Sequence, residues 1–369
     1  MSSMPLIFLS MFLHFISLIH SFPLAPALYV FGDSLFDSGN NNILPTIAKA
    51  NYLPYGVNFV KGVTGRFTNG RTIADFLAEF LGLPYSPPYM NMSIRRSTPL
   101  TGLNYASGSC GILPETGNRY GKCLNINEQI DLFQRTVKSE LPRHIKSSYE
   151  LSEYLSKSIF IVSIGSNDYI NNYLEPNLYE TSKHYPPQPF AQLLVDALSQ
   201  DLQRLYSLGA RKIVMFEIGP IGCIPSITRK HKHDGQCVEE TNQIVSFFNQ
   251  RLPALLKYLT STLQGSTFVL GQANFLGYDA IRNPSKYGLT DSKTPCCITW
   301  QNGTSGCIPL LASCPHAYKH FFWDGYHLTE AVIFHIDQLS HGPKPGREVD
   351  EITHMGVGTT DHPIPYVGR

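Results

Sequence analysis

This chain has few charged residues, almost no excess of one charge, and few long apolar runs. Only 15% of its 369 residues are charged while 43% are hydrophobic, a composition that excludes a disordered chain and supports a large core. Lys and Arg number 29 against 28 Asp and Glu, which leaves a formal net charge of +1. The basic surface that nucleic-acid binding requires is therefore missing, and we expect no nucleic-acid partner.

Beyond the N-terminus, no segment has 18 consecutive apolar residues, so we expect no stable membrane span. The run from Leu6 to Ile19 is too short to span comfortably, and small residues follow it. We interpret residues 1–21 as a signal peptide cut near Ser21, although no Lys or Arg precedes the run and an uncleaved anchor stays open. A secreted chain could be glycosylated at the sequons of Asn91 and Asn302.

The usual structural-zinc spacing, C-x₂-C, is also absent. The cysteine count is even and two cysteines are adjacent, which favours disulfides and an oxidising compartment. The eight candidates are Cys110, Cys123, Cys223, Cys237, Cys296, Cys297, Cys307 and Cys314. Cys110 with Cys123 and Cys223 with Cys237 are the nearest pairs; the pairing of the last four stays open.

Short apolar runs alternate with helical patterns along the chain. Four runs are typical of buried strands: Leu28–Phe31, Ile159–Ile164, Ile213–Ile218 and Thr267–Leu270. Helical spacing covers Ile73–Leu81, Leu194–Leu205 and Val238–Leu263, the last bent or restarted at Pro253. This alternation predicts an α/β fold with a mainly parallel sheet covered on both faces. We assign residues 22–341 to one domain and 342–369, rich in Pro, Gly and His, to a loosely ordered tail.

Polar residues follow the first two predicted strands, at the edge where ligands gather in such sheets. Ser34 comes after a buried strand and a glycine, where its hydroxyl can face the crevice as a nucleophile, or the serine can cap a helix. Asn167 after the second strand and Gly108 offer an amide and an N–H to an oxyanion, or serve only as turn residues.

Near the C-terminus, Asp324 and His327 are three residues apart, so one turn can bring carboxylate and imidazole together as an acid-base unit. The alternative is an aspartate that caps the last helix. His231 and His233, in a charged stretch, are typical of a solvated loop, and we predict no metal site. The stretch 356–361 lacks the third glycine of a nucleotide fingerprint.

Four ordered segments resemble the blocks of the GDSL lipase/esterase family of the SGNH hydrolase superfamily, and the plant secreted branch fits best. They are Phe31-Gly32-Asp33-Ser34-Leu35, Asn104-Tyr105-Ala106-Ser107-Gly108, Gly165-Ser166-Asn167-Asp168 and Asp324-Gly325-Tyr326-His327. The resemblance covers roughly residues 28 to 331. Leu328 departs from a common proline and Ile298 from a common glycine, and beyond Ala331 the resemblance stops.

The resemblance implies a three-layer α/β/α flavodoxin-like sandwich. It implies Ser34 as nucleophile, His327 as base and Asp324 as the residue that orients it, with an oxyanion hole from Ser34, Gly108 and Asn167. We therefore expect an esterase or lipase without cofactor, secreted to the apoplast or cell wall, that acts on small-molecule or polymer-linked carboxylic esters. Acyl transfer to an alcohol, or a catalytically silent protein that binds glycan or lipid, are the alternatives.

Overall fold

A computed structural model of the chain describes residues 23–94 and 97–333. The predicted signal peptide (1–21) and the predicted tail (342–369) lie outside the described residues, as does the end of the predicted domain.

The strands and helices alternate along the chain. The strands are β1 (Leu28–Gly32), β2 (Ile159–Ser163), β3 (Lys212–Phe216), β4 (Thr267–Gly271), β5 (Asp291–Pro295) and β6 (His320–Phe322). The helices are α1 (Ile73–Phe80), α2 (Ile126–Arg135), α3 (Ser148–Lys157), α4 (Ser166–Asp168), α5 (Thr181–His184), α6 (Pro187–Ser207), α7 (Pro225–Thr228), α8 (Glu239–Asn249), α9 (Leu252–Thr262) and α10 (Ala273–Arg282). The four predicted strands are β1 to β4, and the long predicted helix is divided into α8 and α9, with Pro253 in the first turn of α9.

The central sheet is parallel, with the order β1-β2-β3-β4. Residues 101–107 extend it beyond β1, because Val30 N–H donates to Leu103 and Tyr105 N–H donates to Val30. Segment 101–107 pairs with one side of β1, and β2, β3 and β4 follow in order on the other side. The strand order therefore reverses at β1, and in such doubly wound sheets a crevice opens at the carboxyl ends of the strands at this point.

Apolar side chains of the sheet pack on both of its faces. Tyr29 and Phe31 of β1 belong to a large buried cluster that includes residues of α2 and α6. The alternating residues Leu28 and Val30 belong to a second cluster that includes residues of α1. Strands β1 and β2 are buried along their whole length, as expected of a parallel sheet covered on both sides. The three-layer α/β/α prediction is confirmed.

Within residues 23–94 and 97–333, no helix is long and apolar enough to cross a membrane. All eight cysteines form disulfides. The pairs are Cys110–Cys123, Cys223–Cys237, Cys296–Cys314 and Cys297–Cys307. The first two close the short loops that the sequence favoured, and the last two settle the pairing that it left open.

Candidate active site

The carboxyl end of β1 turns sharply to present Ser34. Gly32 has φ +153°, and a Cβ there would lie 2.3 Å from the Ser163 carbonyl oxygen of β2, so only glycine fits. The buried amide of Gln129, on α2, receives the Gly32 N–H and donates to the Gly32 carbonyl, both at 2.8 Å. The chain then forms a turn rather than a helix at Ser34. The helix-capping alternative for this serine is therefore wrong.

A chain of hydrogen bonds joins Ser34 to the loop after β6. Ser34 Oγ lies 2.8 Å from His327 Nε2, and His327 Nδ1 lies 2.9 and 2.8 Å from Asp324 Oδ1 and Oδ2. Ser34 is half-buried and the Asp324 side chain is fully buried. This arrangement can pass the serine proton to the imidazole while the carboxylate fixes the tautomer.

Asp324 is ionised in a place where burial disfavours charge. Burial acts to raise its pKa, but the charge of His327 and the hydrogen bonds that the carboxylate accepts hold the pKa below the ordinary value. The donors include the N–H groups of Tyr326 and His327, at 2.7 and 2.8 Å, and the Tyr55 hydroxyl at 2.6 Å. A carboxylate with these donors remains an acceptor for the imidazole N–H.

Two disulfides brace this loop. The N–H groups of Cys296 and Cys297 donate to the carbonyls of Phe322 and Trp323 at 3.0 and 2.9 Å, and Trp323 N–H donates to the His327 carbonyl at 2.7 Å. Cys296 and Cys297 are thus hydrogen-bonded to the residues that directly precede Asp324 in the loop that carries Asp324 and His327. The disulfides limit how far that loop can move relative to the sheet.

Asn167 lies at the end of β2 with its amide oriented by two hydrogen bonds. Its Nδ2 donates to the Cys110 carbonyl at 2.9 Å, and its Oδ1 accepts from Asn171 Nδ2 at 2.7 Å. One hydrogen of the Asn167 amide remains for a ligand. Asn171 belongs to no sequence motif, and the sequence analysis did not predict its contact with Asn167. The two asparagines are four residues apart in one helical segment, and this spacing could have indicated that their side chains meet.

Gly108 does not have the geometry that the resemblance implied. Its N–H donates to the carboxylate of Asp37 at 3.1 Å, so this donor is already engaged. The next residue, Ser109, has φ +70°, an uncommon conformation for a non-glycine residue, and lines the same cavity as Ser34 and Asn167. In the described part of the chain, no hydrogen bond is made by the Ser109 N–H or by that of Ser34.

A cavity of about 510 Å³ has Ser34 and His327 in its wall at this edge of the sheet and extends to Leu28 and Ile159, at the amino ends of β1 and β2. Most of the wall is apolar, including Leu35, Ile47, Phe67, Ile170, Ile221 and Leu276. A pocket with a polar catalytic end and an apolar remainder is suited to a ligand that is largely hydrocarbon.

The other predicted residues lie apart from this cavity or at its rim. Asn302 is exposed and Asn91 is half-buried, so the sequons remain predictions. Leu328 lines the cavity, and Ile298 is 53% exposed, so its side chain needs no space in the core. Over residues 23–94 and 97–333, no three His, Cys, Asp or Glu side chains are grouped as metal ligands; His231 is exposed.

A doubly wound parallel sheet with a serine, histidine and aspartate hydrogen-bonded at its carboxyl edge has the arrangement of a serine hydrolase. The sequence model of the family described as GDSL-like Lipase/Acylhydrolase matches residues 28–332. GDSL esterase/lipase 7 of Arabidopsis thaliana is 47% identical over 314 residues, covering 84% of this chain and 86% of that protein. GDSL esterase/lipase At5g08460 of the same plant is 42% identical over 312 residues, covering 83% and 80%. The chain belongs to the GDSL-like lipase/acylhydrolase family and is a carboxylic ester hydrolase.

Proposed function

We propose that the chain is a secreted serine esterase that works through an acyl-enzyme on Ser34. Ser34 Oγ attacks the ester carbonyl carbon as His327 Nε2 takes its proton, and the imidazolium then protonates the departing alcohol. A water molecule, deprotonated by the same imidazole, attacks the acyl carbon and releases the acid. The observation that carries the proposal is the unbroken 2.8 Å contact between Ser34 Oγ and His327 Nε2, with Asp324 behind it.

For the oxyanion hole, we propose the N–H groups of Ser34 and Ser109 with the Asn167 amide, in place of the expected Gly108. Asp37 already accepts the Gly108 N–H, whereas the left-handed turn at Ser109 belongs to the cavity wall. Unusual backbone conformations persist where the surrounding structure holds them and are concentrated at functional sites. Asn167 supplies the third donor because Asn171 and the Cys110 carbonyl fix which end of its amide faces outward.

The apolar wall of the cavity is suited to the acyl group of the substrate. Transfer of the acyl group to an alcohol would use the same residues, so it remains an alternative. Whether water or an alcohol attacks the acyl-enzyme decides between hydrolysis and transfer. The silent-binder alternative is disfavoured because the serine, histidine and aspartate are within hydrogen-bond distance of one another. Secretion is supported by the apolar N-terminal run and by the use of all eight cysteines in disulfides.

A phosphonate that labels serine tests this function. Wild type should lose ester hydrolysis as it becomes labelled, and Ser34→Ala should neither hydrolyse the ester nor become labelled. Asn167→Ala should be labelled but have a kcat lower by about 10²-fold or more. A crystal structure of the adduct should have the phosphoryl oxygen within hydrogen-bond distance of the N–H groups of Ser34 and Ser109. An oxygen bound instead by the Gly108 N–H would refute the assignment of Ser109. Wild-type hydrolysis by Ser34→Ala would refute the mechanism.

A further inference from the structure

A buried tyrosine from a distant loop contacts the aspartate of the candidate triad. Tyr55 is 1% exposed, and its hydroxyl donates to Asp324 Oδ2 at 2.6 Å. The same Oδ2 lies 2.8 Å from His327 Nδ1, so imidazole and phenol share one carboxylate oxygen. Tyr55 and Asp324 are 269 positions apart in the sequence, and no sequence pattern connects them.

The direction of this hydrogen bond is fixed by chemistry. An ionised carboxylate can only accept, and the Cys307 N–H donates to the Tyr55 oxygen at 3.1 Å, so the phenol hydrogen points at Asp324. Burial, followed by the charge of Asp324, raises the pKa of the Tyr55 phenol well above its ordinary value, which keeps the hydrogen on the oxygen. The phenol is therefore a permanent donor to the carboxylate.

Such a donor has two effects on the imidazole beside it. It reduces the charge on the carboxylate that would otherwise stabilise the imidazolium, and it prevents the carboxylate from rotating out of the imidazole plane. We propose that Tyr55 is a positioning residue of this hydrolase, which sets the orientation of Asp324 and the pH at which His327 becomes an effective base. The proposal rests on the proposed function of Ser34, His327 and Asp324.

Other charged or titratable groups also affect the protonation of Asp324 and His327, so the experiment must leave those groups unchanged. Burial raises the pKa of Asp33 to about 7, so that carboxyl titrates close to the imidazole range. The titratable or charged groups that interact with the pair or share its cavity are Asp33, Tyr52, Tyr55, Tyr326, Lys49, Tyr120 and Glu217. A single change at Tyr55 leaves all the others in place, so the difference between variant and wild type isolates the phenol.

The test compares Tyr55→Phe with two control variants. Tyr105→Phe removes a hydroxyl from an equally buried tyrosine that donates to Thr136 Oγ1 at 2.8 Å, away from Asp324. Tyr52→Phe removes the 3.0 Å hydrogen bond to the Cys307 carbonyl, on the same disulfide loop. The first control measures the general effect of losing a buried hydroxyl, and the second measures the effect of a looser loop.

In Tyr55→Phe we expect kcat at its plateau to fall about tenfold with little change in KM. The midpoint of the acid limb of kcat/KM should move to higher pH by several tenths of a unit, since the more basic carboxylate favours the imidazolium. Tyr105→Phe should keep the wild-type midpoint. Tyr52→Phe should move it less than Tyr55→Phe does, because the Tyr52 hydroxyl donates to the Cys307 carbonyl rather than to Asp324. An unmoved midpoint in Tyr55→Phe, or an equal movement in Tyr52→Phe, would overturn the proposal.

A second readout does not depend on turnover. ¹⁵N-histidine NMR titration in the Ser34→Ala background, with His327→Gln for assignment, follows the imidazole directly. Its titration midpoint should rise when Tyr55→Phe is added. If the midpoint rises but no ester is hydrolysed by wild type, the proposed function has failed while the role of Tyr55 stands. If it does not move, the role of Tyr55 is refuted whatever the activity.

Discussion

A buried aspartate far from the cavity provides a stability test of this architecture. Asp201 of α6 is 2% exposed, and among the described residues its Oδ2 has no hydrogen-bond partner. Burial raises its pKa from 3.8 to about 7, partly offset by the nearby charge of Arg204. Between these two pH values the folded chain holds a proton that the unfolded chain has released. The free energy of unfolding contributed by this group therefore falls as pH rises from about 4 to about 7.

The size of the effect follows from the pKa change. Each unit corresponds to about 1.4 kcal/mol, so ionised Asp201 costs at most about 4 kcal/mol above pH 7, of which about 2 kcal/mol is already present at pH 5. Asn has nearly the same shape and no charge. We expect Asp201→Asn to stabilise the protein, with a gain that is about 2–3 kcal/mol larger at pH 8 than at pH 5.

Urea unfolding at pH 5 and pH 8 measures this gain, provided that the transition remains two-state. Asp196→Asn, an exposed change on the same helix, is the control and should show no such pH dependence. Burial also raises the pKa values of Asp33, Asp37 and Asp168 into this range. Their contribution to the pH dependence of unfolding is the same in wild type and in Asp201→Asn, so it cancels in the comparison. An equal gain at the two pH values would mean that Asp201 is solvated or paired, and the reasoning from burial would be wrong.

Three further changes test the site and its supports. Asn171→Asp replaces the amide that donates to Asn167, the asparagine proposed for the oxyanion hole, with a carboxylate that cannot donate. We expect kcat to fall at least tenfold with KM retained, and an unchanged kcat in steady-state kinetics would contradict that role. Replacing Cys297 and Cys307 together by Ser should lower the free energy of unfolding in urea by about 2–3 kcal/mol and reduce ester hydrolysis, and retained activity would show that the disulfide does not brace the loop. Asp75→Ala leaves the buried Arg66 guanidinium without its 2.7 Å partner and should cost about 3–5 kcal/mol in the same assay, so a loss below 1 kcal/mol would argue against burial of the pair.

The sheet could be predicted from the sequence because its strands are short apolar runs between polar turns. β1 to β4 match the four predicted runs within two residues, since a strand buried on both faces leaves a continuous hydrophobic signal. The segment 101–107, which extends the sheet beyond β1, was missed. Its apolar alternation consists only of Leu103 and Tyr105, which is too short to predict a strand.

The site was predicted where chemistry depends on neighbours in sequence. Asp324 and His327 are three residues apart, and Ser34 follows a predicted strand and a glycine, so local pattern made them candidates. Their roles came from the family resemblance, because each pattern alone also fits a helix cap. Tyr55 could not be predicted, because its contact with Asp324 exists only in the folded chain. Ser109, which we propose in place of Gly108, was not predicted for another reason. Residue type favoured the glycine beside it, whereas the orientation of each N–H depends on backbone angles that the sequence does not specify.

The two halves of the candidate site are held by different parts of the fold. Ser34, the proposed nucleophile, follows a strand of the sheet, where β2 and the amide of Gln129 fix the turn after Gly32. His327, the proposed base, lies in a loop that is held by disulfides and by the phenol of Tyr55. Because these supports are independent, loosening the loop should displace the base from Ser34 and leave the sheet intact. Loss of activity without loss of the folded core is therefore the behaviour expected when the disulfide loop is perturbed.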